Sequence, residues 1–190
     1  MKMPVFVSFY TDNWIYSQLA EQLENTLSDM ELPCDIRPIM GGADWLANTR
    51  IKPRFIRKML DIYPRIIWID ADSKISQMPH MLLDFSEDLL LRPHSTVPGR
   101  AWHVSVMGWT SNDATKALCD DWIEQCAADG GTDEAAFDAV IANHSDRLSI
   151  GKMPLKYHRL PHDPQDHTVI TIGISRDADK IRIKYGEGFK

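Results

Sequence analysis

The sequence predicts an α/β domain with a mostly parallel central sheet flanked by helices, and three observations lead there. Strand-like and helix-like segments alternate over about seventy residues, from Val5 to Ile69. The apolar, β-branched run Ile66-Ile67-Trp68-Ile69 reads as a buried strand. Two carboxylates, Asp70 and Asp72, follow at its C-terminal end, where ligands bind in open α/β sheets.

Val5–Phe9 forms the first expected strand. Asp12 or Asn13 then caps a helix whose Ile15, Leu19, Leu23 and Leu27 recur every fourth residue on one face. Pro33 closes that unit, Cys34–Ile39 reads as a second strand, and Gly41-Gly42 interrupts the chain. A helix starts near Pro53 and ends before Pro64, with Phe55, Ile56, Met59 and Leu60 facing inward. Beyond the Ile66–Ile69 strand, Met78–Phe85 reads as a short helix and Trp102–Trp109 as a strand. Asn112 or Asp113 caps a helix through Ala128, and Thr132 caps another over Asp133–Ala142. Leu155–Leu160 and Thr168–Ile174 are the last expected strands.

At 190 residues the chain is most simply one domain, taken as 1–178, followed by a basic, glycine-containing tail at 179–190. The apolar share of 44% and charged share of 25% are those of a soluble globular protein. Twenty-one basic against 27 acidic residues give a formal charge of −6, which argues against general nucleic-acid coating. Cysteines are three, at Cys34, Cys119 and Cys126. The last two, seven residues apart on one expected helix, stand roughly 10 Å apart, beyond the about 7 Å a disulfide tolerates. Free thiols and a cytoplasmic location are expected, and no apolar run approaches the about 20 residues needed to cross a bilayer.

Asp70 and Asp72 carry the chemistry. Residues i and i+2 of a strand share a face, about 6.6 Å apart at Cα. A bend after Asp70 brings both carboxylates to one cation, relieving their repulsion with a hard ion such as Mn²⁺ or Mg²⁺. That ion in turn suits a diphosphate. An Asx turn that merely ends a strand is the plainer reading of the same pair. Position after an apolar strand in an α/β unit favours the ion.

Here the chain resembles the compact GT-A glycosyltransferases, the nucleotide-diphospho-sugar transferases, over about Pro4–Ser175. The run from Lys52-Pro53-Arg54-Phe55-Ile56 to Ile67-Trp68-Ile69-Asp70-Ala71-Asp72 looks like that family's Lys-bearing helix and metal-binding DxD strand. Val104-Ser105-Val106-Met107-Gly108 looks like the next strand, lining the donor-sugar pocket, and Trp122 like the helix tryptophan that follows. Thr132-Asp133-Glu134-Ala135-Ala136-Phe137 is similar to the family's Asp-Gln helix start near the acceptor.

The resemblance implies a single GT-A-like, Rossmann-like domain and transfer of a sugar from a nucleotide-diphosphate sugar, UDP-sugar favoured. Thr11 and Asp12 would contact base and ribose, Lys52 and Ser105 would lie near the donor, and Asp70 and Asp72 would hold ribose and metal. Asp133 or Glu134 would orient sugar or acceptor as the catalytic carboxylates. Two departures stand out: Glu134 replaces a Gln common in relatives, and Val169–Ser175 lacks the family's late-strand histidine. His167 or His162 from the preceding loop, a water, or the diphosphate itself remain open as the third metal ligand.

Other residues have plainer readings. Arg57 and Lys58 belong to the solvated face of a helix, whereas Lys52 stays a donor candidate. Tryptophans are core or pocket walls, with Trp45 or Trp109 candidates for stacking on sugar or base. His158, His162 and His167 are spaced as H-x₃-H-x₄-H, a weak zinc pattern without cysteines or a helix. Competing functions are a phosphohydrolase resembling the haloacid dehalogenase group, a sugar-nucleotide pyrophosphorylase and a catalytically inactive nucleotide-sugar-binding domain. The first uses Asp70 as nucleophile, but that motif usually follows the first strand. The second wants a Gly-rich basic loop where Tyr10-Thr11-Asp12-Asn13-Trp14 stands. The acceptor is open, and the basic tail and the Arg50–Lys58 run keep modified-base DNA among the options.

Overall fold

The computed structural model describes residues 2–11, 14–94, 100–128, 131–161 and 166–175. In chain order the elements are β1 (Val5–Thr11), α1 (Trp14–Asp29), β2 (Cys34–Ile39), α2 (Trp45–Thr49), α3 (Lys52–Ile62), β3 (Arg65–Ile69), β4 (Lys74–Ile75) and α4 (His80–Leu83). β5 (Leu89–Pro93), β6 (Trp102–Thr110), α5 (Asp113–Ala128), α6 (Asp133–Ile141), β7 (Ile150–Lys152) and β8 (Ile170–Thr171) complete them.

A six-stranded sheet in the order β2-β1-β3-β6-β5-β7 forms the centre. β1 runs parallel to β2 and β3, and β7 parallel to β5, while β6 is antiparallel to both its neighbours. The α/β, mostly parallel architecture is therefore present. β4 and β8 make a separate antiparallel pair.

Strand alternation builds two cores. From β3, Ile66 and Trp68 enter one with Phe55, Met59, Trp109, Trp122 and Phe137, under α3, α5 and α6. Ile67 and Ile69 enter the other with Phe6, Leu23, Leu27, Phe85, Leu90 and Ile170, which α1 covers. All five β3 residues are buried, as expected of a strand covered on both faces. Two positions are sterically committed. A Cβ on Gly108 of β6 would stand 2.9 Å from Leu90 Cβ and 3.1 Å from Phe85 Cζ, and Gly173 has a left-handed φ of 62°.

Four expectations need correction. Leu155–Leu160 is no strand: Leu155–Tyr157 is a 3-10 turn, and only Arg159 bridges to Thr171. Of Thr168–Ile174, only Ile170–Thr171 pairs as β, because the strand it pairs with, β4, is two residues long. The helix within Met78–Phe85 shrinks to His80–Leu83. Finally, β5 was not anticipated; its apolar Leu89-Leu90-Leu91 run becomes a strand through its pairing with β6 and β7. The expected caps at Asn112 and Thr132 are present, accepting from the Thr115 and Ala135 amides at 2.9 and 3.2 Å. All three cysteines are free thiols. Among the described residues no helix is long and apolar enough to cross a membrane. Asp12, His162 and the 179–190 tail lie outside the described residues.

Candidate active site

The carboxyl ends of β1 and β3, the start of β6 and the first turns of α3 and α6 converge on one cleft of about 370 Å³. Parallel β1 and β3 deliver Thr11 and Asp70–Asp72 to the same edge. Antiparallel β6 then brings its beginning to the end of β3, where the Asp70 amide donates to Ser105 O at 2.9 Å. Ser8 Oγ donates to Ile69 O at 2.6 Å, tying β1 to β3 just below that edge.

Lys52 is the hub. It starts α3, is buried, and places Nζ 3.0 Å from Asp70 Oδ1 and 2.6 Å from Asp133 Oδ2. The same ammonium donates to Val104 O at 3.2 Å. Burial alone would lower its pKa, but Asp133 and Asp70 more than offset this and hold it above the ordinary lysine value. Asp70 Oδ1 also accepts from Trp68 Nε1 at 3.0 Å. Burial raises the Asp70 pKa; Lys52 opposes the rise, while Asp72 and Asp133 add to it. Trp122 Nε1 donates to Asp133 O at 2.8 Å, so the α5 core anchors the first turn of α6.

Asp72 faces the segment after β8. Ser175 Oγ donates to its carboxylate, and its backbone oxygen accepts from Ile174 N at 3.0 Å. Gly173, which turns this segment, and Ile172 line the cleft. Tyr10, Tyr16 and Trp45 supply aromatic faces to the wall. Asp70, Asp72, Asp133 and Glu134 stand against Lys52 and Arg100 in the lining, so four carboxylates face two cations and the cleft carries a formal surplus of two negative charges.

Comparison with solved structures follows from this geometry. A glycosyltransferase involved in the glycosylation of the major capsid of PBCV-1 superposes with a TM-score of 0.73 at 10% identity, covering 97% of this chain and 99% of that one. Apo GlyE, a glycosyltransferase of Streptococcus pneumoniae TIGR4, gives 0.63 at 12% identity, covering 93% of this chain and 56% of its own. The WbbM bifunctional glycosyltransferase gives 0.54 at 12% identity, with 82% of this chain and 39% of that one covered. This is a GT-A-type glycosyltransferase fold. The chain thus spans most of the first relative but only about half of GlyE and less of WbbM. No protein-family model and no curated protein sequence matches it.

Within this GT-A fold, Thr11, Lys52, Asp70, Asp72, Ser105, Asp133 and Glu134 all line the cleft. His167 does not: it is exposed in the turn before β8 and absent from the lining. Trp45 lines the cleft, whereas Trp109 lies fully buried against Trp122 and Phe137, a correction to its candidacy for ligand stacking. Arg57 reaches Asp61 and Asp120 on the outer face of α3, as a solvated position should.

Sequence reading missed two groups. Arg100, Tyr16 and Asn48 of the wall carry no local pattern that marks them. The second group is a histidine cluster: the His94 and His103 rings stack at 3.9 Å, and His103 meets His158 at 4.0 Å. Burial lowers the pKa of His94, and burial reinforced by His103 brings His158 down to about 3. The ring that His158 meets is His103 of β6, which lies outside the H-x₃-H-x₄-H run.

Proposed function

We propose that the protein is a glycosyltransferase that takes a sugar from a nucleoside-diphosphate sugar, UDP-sugar first among the donors to test. The observation that carries this reading is the meeting of Asp70, Asp72 and the Lys52–Asp133 pair in one open cleft of a GT-A fold. Tyr10, Tyr16 and Trp45 offer flat apolar faces to a base or sugar, and Thr11 and Ser105 offer polar edges beside them. Asp12 joins this set in the proposal.

The donor set fits a hard dication. Asp70 and Asp72 offer only oxygen, and Asp72 raises the proton affinity of Asp70, the repulsion that a bound cation relieves. Mn²⁺ or Mg²⁺ held by Asp70 and Asp72 would stabilise charge on the departing diphosphate. Ser175 orients the Asp72 carboxylate for this task, in the segment where the family's histidine is missing. His167 stays a candidate third ligand only if its loop turns inward. Lys52 fixes the relative placement of Asp70 and Asp133 and keeps a positive charge at the cleft floor. Asp133 and Glu134, opening α6, present carboxylates to the sugar or acceptor. Burial raises the Glu134 pKa, which suits a group that exchanges a proton or hydrogen-bonds a hydroxyl. The phosphohydrolase alternative is not favoured, since the solved structures compared above are glycosyltransferases.

A matrix of nucleotide sugars against Mn²⁺ and Mg²⁺, read by thermal unfolding and then by donor hydrolysis, tests the proposal. A UDP-sugar should raise the midpoint only with metal present, and Asp72→Asn should abolish that rise while leaving the ligand-free midpoint in place. Absence of any nucleotide-dependent shift under every metal condition would sink it.

A further inference from the structure

We propose that His94, His103 and Glu134 form a second metal site, separate in chemistry from Asp70 and Asp72, that takes a transition-metal dication of the Zn²⁺ class. One ligand atom from each residue lies within 4.8 Å of the others, and His94 Nε2 stands 3.7 Å from Glu134 Oε1. A tetrahedral ion with bonds of about 2.1 Å separates its ligand atoms by about 3.4 Å, so side-chain rotations that shorten the separations by at most about 1.4 Å close the trio.

The donor types decide which ion. Two imidazoles and one carboxylate favour borderline metals such as Zn²⁺, Co²⁺ or Ni²⁺, whereas Mg²⁺ prefers oxygen donors. Three elements preassemble the site: His94 follows β5, His103 lies on β6, and Glu134 opens α6. Asp138 of α6 accepts the Ala101 and Trp102 amides, each at 3.0 Å, and so ties α6 to the β5–β6 hairpin on which both histidines sit. A second, independent observation points to a ligand. His158, buried at the edge of the cluster, has an Nε2 with no hydrogen-bond partner among the described residues. A buried imidazole nitrogen left unpaired is costly, and an ion or its bound water beside the cluster would satisfy it. Asp138 adds negative charge near His94, while Arg92 and Arg100 oppose it. Because Glu134 also lines the main cleft, an ion here would draw that carboxylate toward the histidines.

The site is tested without reference to sugar transfer. Metal-free full-length protein is titrated with Co²⁺ and followed by visible absorption, then with Zn²⁺ in competition, and Zn²⁺-dependent thermal shifts are measured alongside. One equivalent of Co²⁺ should give an intense tetrahedral spectrum that Zn²⁺ displaces and millimolar Mg²⁺ does not. His94→Ala, His103→Gln and Glu134→Gln should each weaken Co²⁺ binding by at least about tenfold. Asp72→Asn should leave the spectrum intact. Circular dichroism of the metal-free variants keeps misfolding apart from ligand loss, and Glu134→Gln, which changes one atom, serves if a histidine variant fails to fold. No spectrum with the wild-type chain, one that survives both histidine variants, or one lost in Asp72→Asn would overturn the proposal.

Discussion

Replacing Lys52 with methionine keeps the aliphatic stem and deletes the charge, leaving the Asp70 and Asp133 carboxylates facing each other. The ammonium is buried and makes contacts of 3.0 and 2.6 Å to those two groups, besides its bond to Val104 O. Removing one partner of a buried ion pair costs about 3–5 kcal/mol, since the other charge stays desolvated. Asp70 retains 27% exposure and is partly rescued by water, which points to the lower end, about 3 kcal/mol. For a chain of this length that loss lowers the thermal midpoint by roughly 6–12 °C. The pH dependence supplies the sharper test. Without Lys52, burial and the neighbouring carboxylates still raise the Asp70 pKa, and the Trp68 Nε1 donor remains to favour the carboxylate in place of a full positive charge. The variant can therefore take up a proton on Asp70 above the ordinary aspartate value of about 3.9, and its deficit should shrink as pH falls from 8 toward 5. In the parent protein the raised Lys52 pKa contributes stability that is complete below the unfolded lysine value and is lost only in strong alkali, so Lys52 adds no slope of its own across that window, and the slopes from the lowered His94 and His158 are shared by both proteins and cancel in the difference. Calorimetric melts at pH 8 and pH 5 measure both. A deficit under about 1 kcal/mol at pH 8, or one unchanged at pH 5, would show that the hub carries no such charge imbalance.

Two further substitutions bracket this one. Gly108→Ala should destabilise the chain by about 1–3 kcal/mol in urea unfolding, because the new methyl meets Leu90 and Phe85 inside a packed core; a neutral effect would mean that the sheet gives way there easily. Arg57→Ala, which breaks ion pairs to Asp61 and Asp120 on the outer surface, should shift the midpoint by less than a third of the Lys52→Met loss; a comparable drop would contradict the solvated reading of that face.

Legibility followed the range of the interactions involved. α1, α3, α5 and β3 announce themselves through local apolar periodicity, and each is present close to its expected bounds. β5 and β7 do not, for the few residues of β5 become a strand by pairing with β6 and β7, and those of β7 by pairing with β5. Leu155–Leu160 shows the converse, a strand-like run with too little partner to pair with. In the site, Asp70 and Asp72 were marked by their place at the end of β3, and Lys52 and Asp133 by the resemblance, yet nothing in the sequence said that one ammonium would bind two of the three carboxylates.

Local order, then, wrote the α/β class, the buried β3 and the acidic pair at its end, because side-chain period and chain direction are short-range properties. Tertiary packing alone decided that Ser175 would reach Asp72, that Trp109 would be core rather than cleft, and that His158 would meet His103, 55 residues earlier in the chain. Those outcomes depend on how strands from different parts of the chain register against one another. Such pairings arise from the sum of many weak contacts, with no signature in any single stretch of residues.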